Sequence, residues 1–143
     1  MKILIADNDF ESMEDISIAL NLCIPELELI ITNSGKQSLW IIKDRSPDIV
    51  ILGLQLSEMF CFDVISQIRS FSNVPIIVVS YKDNGNEVVR VLEMGANDYI
   101  VKPIKSLELI ARLRKLVQKH NSEGIKTKGP INKNSRYKET DRN

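Results

Sequence analysis

Five short apolar runs alternate with amphipathic segments along this chain, and that alternation limits the fold more than any other feature. Lys2–Ala6, Leu27–Thr32, Asp48-Ile49-Val50-Ile51-Leu52, Ile76–Val79 and Asp98–Val101 read as strands. They are nearly continuous in apolar residues, the pattern of strands buried on both faces. Between them apolar residues recur at helical spacing. Met13, Ile16 and Leu20 mark a helix over about residues 11–22, closed by Pro25. Asn33-Ser34 caps a second helix to about Lys43, with Leu39, Trp40 and Ile42 available to face the sheet. A third is expected over about residues 62–71. Asn84-Gly85-Asn86 opens a fourth, with Val88, Val89 and Leu92 on its inner side and Gly95 as its C-cap. Ser106 caps the last helix, with Glu108 in its first turn.

Strands and helices that alternate strictly, with short connections, imply an α/β fold: a parallel sheet covered on both faces. Five strands suit a flavodoxin-like doubly wound sheet of order 2-1-3-4-5, whose crevice lies between the first and third strands. The 143 residues suffice for one core without disulfides or a structural metal. Formal charge is zero overall but unevenly spread. Residues 119–143 hold seven Lys/Arg against three Asp/Glu, a charge of +4, which leaves −4 on residues 1–118. An acidic body argues against direct nucleic-acid binding by the folded part. Cys23 and Cys61 have neither metal-ligand nor redox spacing and read as small apolar fillers. The apolar start stops at Asp7, unlike a signal peptide, and no run approaches the ~18 apolar residues of a membrane span, so a cytoplasmic location is expected. From about residue 120 the chain turns polar, and residues 120–143 are expected to form a basic, disordered tail or linker remnant beside a domain at residues 1–119.

In such a sheet the reactive groups sit at the carboxyl ends of the strands. Here those ends carry Asp7-Asn8-Asp9, Leu52-Gly53, Val79-Ser80, and Asp98-Tyr99-Ile100-Val101 leading into Lys102-Pro103. Together they resemble the receiver domain of bacterial two-component response regulators. The resemblance covers residues 1–118. It implies a phosphoacceptor Asp at the end of the third strand, where this chain has Gly53. It also implies two acids after the first strand that, with the acceptor, hold a magnesium ion; the chain offers Asp7 and then the neutral Asn8. The family's Pro and Gly beyond the acceptor are Ser57 and Cys61 here.

Phosphoryl transfer to a carboxylate needs a nucleophile, a divalent cation, a positive group and a hydroxyl that senses the product. Glu58 is too far along the loop, and too outward, to replace the nucleophile. Asp9 reads as a helix-start residue, although it could bend inward. No catalytic residue, no cofactor and weak or absent magnesium binding are therefore expected. Lys102 matches the phosphate-pairing lysine, often in a cis bond to its proline, and without an acceptor its expected partner is Asp7. Ser80 matches the switch hydroxyl, and Tyr99 the aromatic that turns inward on activation.

The stretch from Leu92 to Tyr99, with Leu107 to Arg114, resembles the branch whose receivers precede a winged-helix DNA-binding domain and dimerise through the fourth helix, fifth strand and fifth helix. Arg90, Glu93, Asp98, Glu108, Arg112 and Arg114 are the candidates for that face. Val88 and Asn97 depart from the branch's usual basic residue and Asp. The expected function is a pseudo-receiver, a non-enzymatic signalling module acting by homodimerisation or partner binding without phosphorylation. Two alternatives stand beside it: phosphate uptake in a phosphorelay at a non-standard residue, or small-ligand sensing in the emptied crevice near Asp7, Ser80 and Lys102.

Overall fold

The computed structural model describes residues 1–128. Strands β1 (Lys2–Ala6), β2 (Glu28–Thr32), β3 (Ile49–Gly53), β4 (Ile76–Ser80) and β5 (Asp98–Val101) form one parallel sheet. Its order is β2-β1-β3-β4-β5, as the alternation requires. Helices α1 (Phe10–Cys23), α2 (Gly35–Arg45), α3 (Cys61–Arg69), α4 (Gly85–Met94) and α5 (Ser106–Lys128) connect and extend it.

Each strand sends successive side chains to opposite faces, which creates two cores. Leu4, Val50, Leu52, Ile76, Val78 and Tyr99 pack with α2, α3 and α4. Ile3, Ile5, Ile49, Ile51, Val79 and Ile100 pack with α1 and α5. The central strands β3 and β4 are buried along their whole length. Such strands must be apolar on both sides, which is why their sequences show no alternation.

Two helices sit differently from expectation. Ile41 and Ile42 face the core from α2, while Trp40 is 63 % exposed. In α4 the fully buried residue is Val91; Val89 and Leu92 are exposed, and Val88 is partly buried against the core. Helix α5 continues to Lys128, past the composition break near residue 120. A helix already nucleated by its buried Leu109, Leu113 and Val117 extends through polar residues at little cost per residue. The rest of the expected tail lies outside the described residues.

Two ties hold loops at opposite ends of the sheet, the first beside the carboxyl ends of the strands and the second at the amino ends of β4 and β5. Ser57 bridges to Ser34, and its hydroxyl donates to the Asn33 carbonyl at 2.9 Å. Asn97 Oδ1 accepts from the Ile76 amide at 2.8 Å and from Arg69 at 3.0 Å, so the asparagine is a clasp between α3 and the sheet. Arg69 also donates to the carbonyl of Gly95, whose φ of 122° is a conformation that favours glycine.

Candidate functional site at the carboxyl ends of the strands

Asp7 is the first residue beyond β1, and its amide donates to the Thr32 carbonyl of β2, which fixes the turn. Its side chain is buried, as is that of Lys102 just beyond β5. The Lys102 amide donates to the Ser80 carbonyl at 2.7 Å, and the Lys102-Pro103 bond is cis. From this position Lys102 Nζ donates to Asp7 Oδ2 at 2.7 Å and to Asp9 Oδ2 at 3.2 Å. The Tyr81 ring, whose centroid lies 5.2 Å from the same nitrogen, covers it.

Asp9 combines two roles. It caps α1 through Oδ1, which accepts from the Ser12 amide at 3.1 Å, and it turns its second oxygen to Lys102. The two carboxyls titrate in opposite directions. Burial pushes Asp7 above its ordinary value, against the smaller downward pull of the Lys102 hydrogen bond and charge. The Ser12 amide, more than Lys102, holds Asp9 below its ordinary value.

Gly53 ends β3 opposite this group. A Cβ built on it would lie 2.2 Å from Asp7 Oδ1 and 2.3 Å from Asp7 Cγ. The absence of a side chain at 53 therefore does not leave the expected vacant crevice between β1 and β3. The Asp7 carboxylate fills it. A ligand at that point would have to share the space with the Asp7 carboxylate.

The remaining candidates separate into groups. Asn8 is exposed and contributes its amide to the Gln55 carbonyl at 3.1 Å. Ser80 Oγ accepts from the Lys82 amide at 3.1 Å, and the buried Tyr99 hydroxyl donates to the Lys82 carbonyl at 2.7 Å. The inward ring and the hydroxyl thus brace one residue of the β4–α4 turn from both sides. Glu58, at φ 72°, accepts from the Ser34 hydroxyl and is committed to the cap of α2. Cys61 is buried and its thiol is pushed up to about 12 by burial, which leaves it a filler. Sequence reasoning missed Tyr81; for Asp9 it took the helix start as the ordinary reading and an inward bend as the alternative, and the residue does both.

On the α4–β5–α5 side, Arg112 donates to Asp98 and to Glu108, both at 2.8 Å. The hydrogen bond it donates to Asp98 holds the guanidinium above its ordinary value. Arg90 lies over the Phe62 ring of α3, 3.9 Å from its centroid, and Glu93 is exposed. Arg114 does not belong with them: it donates to the Cys23 carbonyl at the end of α1, because α5 presents that side to α1.

This set of residues matches the description of a receiver. The family model for the response regulator receiver domain matches residues 3–114. The chain belongs to that family. The DNA-binding response regulator MtrA of Mycobacterium tuberculosis is 35% identical over 122 residues, which are 85% of this chain and 53% of MtrA. The transcriptional regulatory protein KdpE of the same species is 30% identical over 120 residues, 84% of this chain and 52% of KdpE. The chain thus spans about half the length of these relatives. Among solved structures, the BeF3-activated receiver domain of Klebsiella pneumoniae RstA superposes with a TM-score of 0.73 at 27% identity, covering 82% of this chain and 99% of that one. A putative response regulator from Chloroflexus aurantiacus, at 24% identity and TM-score 0.77, covers 82% of this chain and 97% of its own and shares the fold. No described helix is long and apolar enough to cross a membrane.

Proposed function

We propose that this chain is an atypical receiver that signals without phosphorylation, through self-association or a protein partner. Gly53 stands where the family's acceptor is expected, and the observation that carries the reading is the placement of Asp7. Its carboxylate fills the space an acceptor side chain would enter, and Lys102 neutralises it from within. The site therefore contains its own counter-charge, and Lys102 is not free for an incoming phosphoryl group. A constitutive ion pair takes the place of a ligand-dependent one.

Magnesium fits this donor set poorly. The ion prefers octahedral oxygen with one or two carboxylates bound directly. Asp7 and Asp9 already share the Lys102 ammonium, the second position offers only the exposed Asn8, and no group of three acidic, His or Cys side chains converges among the described residues. Magnesium binding is weak or absent in this reading, and the protein is not an enzyme.

The output is transcriptional, as the names of MtrA and KdpE suggest, through the winged-helix branch and from the cytoplasm. DNA contact would belong to another polypeptide segment or to a partner. The contact face is α4, β5 and α5, elements that carry the Arg112, Asp98 and Glu108 cluster and the exposed Val89, Leu92 and Leu107. Because Tyr99 is already inward and bonded to Lys82, one conformation dominates. Beryllofluoride with magnesium tests this. The sedimentation coefficient and amide spectrum should not change; a shift in either would show that the site still binds a phosphoryl mimic.

A further inference from the structure

A cavity lies between α1 and the turn from β5 into α5, with Lys102 in its wall. It measures about 80 Å³. Ile16, Ala19 and Leu109 form an apolar floor, and Tyr81, Lys102 and Ile104 border it. Two polar groups on α1, Ser12 and Asp15, also line it.

Ser12 is the informative residue. It is 7 % exposed, its amide is used by Asp9, and its hydroxyl makes no hydrogen bond among the described residues. Ser17 on the same helix shows the usual solution, donating to the Met13 carbonyl at 2.7 Å. A buried hydroxyl without a partner is costly, and it points to a polar occupant of the space it faces.

The charge around the cavity selects the sign of that occupant. Lys102 is shared between Asp7 and Asp9, and Asp15 is exposed with no ion pair among the described residues. Of the two charged residues in the wall, Lys102 is already matched by Asp7 and Asp9 behind it, so Asp15 is the unmatched charge that faces the cavity. Lys82 and Lys105 follow wall residues in sequence but are exposed and do not line the cavity. Tyr81 is 63 % exposed, which leaves ring surface available to a second cation. A water needs about 10–15 Å³ measured this way, so the volume suits roughly five to eight heavy atoms. That is the size of the end of a lysine or arginine side chain, or of a short alkylamine.

We propose that this cavity binds an alkylammonium or alkylguanidinium group. The methylenes lie against Ile16, Ala19 and Leu109, the cation meets Asp15 and the Tyr81 ring, and an N–H donates to the Ser12 hydroxyl. The group is either a free small amine or a basic side chain of a polypeptide.

The test is amide NMR on the full chain titrated with n-butylammonium, and with butan-1-ol as the neutral counterpart. Saturable shifts at Ser12, Asp15 and Tyr81 are expected with the amine and much smaller ones with the alcohol. Asp15→Asn should weaken the amine roughly two- to fivefold, as loss of a partly exposed ion pair does. Ser12→Ala should weaken it too, with unchanged melting temperatures showing that both variants fold. Tighter binding of a lysine oligopeptide than of butylammonium assigns the source to a polypeptide, aided by Glu11 and Glu14 on the same helix; equal binding assigns it to a free amine. Absence of saturable shifts, or equal binding of the alcohol insensitive to Asp15→Asn, overturns the proposal.

Discussion

The carboxylate of Asp7 occupies the place where a side chain on Gly53 would begin, 2.2 Å from the position of its Cβ. The two residues act as one unit. A methyl group at 53 must displace a buried, ion-paired side chain, although the backbone there is not in the left-handed region and accepts alanine. Gly53→Ala should therefore cost about 1–3 kcal/mol, the usual range for overpacking. In an Asp7→Ala background the same change should be nearly neutral or stabilising. A double-mutant cycle by urea denaturation measures the coupling; additive costs would mean that the two positions do not compete for space.

Lys102 is the only cation bonded to the buried Asp7 among the described residues. Lys102→Met keeps the chain length and removes the charge, which leaves an uncompensated carboxylate. A loss of about 3 kcal/mol is expected, typical of breaking one side of a buried pair. Replacing both partners, Asp7→Asn with Lys102→Met, should recover part of it. Equilibrium unfolding of the single and double variants decides.

Asp9 and Asp7 carry opposite pH signatures. The folded-state value of Asp9 lies below 3.8, so its contribution is fully present above 3.8 and disappears as pH falls through the folded value. The raised value of Asp7 acts in reverse: its contribution is present below 3.8 and fades as pH rises towards the folded value. Asp9→Asn keeps a capping oxygen and removes the titration. At neutral pH it should cost at most about 1 kcal/mol. The variant should lose less stability than the parent when both are taken from pH about 5 to about 3. Parallel acid-unfolding curves would contradict the assigned role of Asp9.

The fold was legible because period and burial agree: β3 and β4 are apolar throughout, and a strand buried on two faces has no other way to appear. Helix phase was less legible where apolar residues run together. Leu39-Trp40-Ile41-Ile42 admits two settings, and the bulk of Trp40 favours leaving it outside while both isoleucines enter the core. At the site, the resemblance picked out Asp7, Ser80, Tyr99 and Lys102, but deleting a side chain from the family's pattern suggested a vacancy. The pair of Lys102 with Asp7 was expected and is present, but that the Asp7 carboxylate would also enter the space above Gly53 depends on its rotamer and on charges far apart in sequence. No local pattern records it.

Arg112 bonds to two carboxylates of its own chain and remains 41% exposed. Arg112→Glu should cost the monomer under about 1 kcal/mol, the range of exposed pairs. If the α4–β5–α5 face mediates self-association, the same change should weaken the dimer by roughly 1–3 kcal/mol where the cluster becomes desolvated. Sedimentation equilibrium reads the second effect. A monomer at every accessible concentration would remove the homodimer and leave a partner-binding module.

Phosphoryl uptake itself is the most direct test. The chain is incubated with acetyl phosphate and magnesium and its intact mass is followed, beside Gly53→Asp and the double variant Asn8→Asp/Gly53→Asp. The original chain should gain no phosphoryl mass. Gly53→Asp should gain little, since Asp7 blocks the position and Asn8 supplies no carboxylate, and the double variant should gain clearly more. A hydroxylamine-sensitive phosphoryl adduct on the original chain would contradict signalling without phosphorylation.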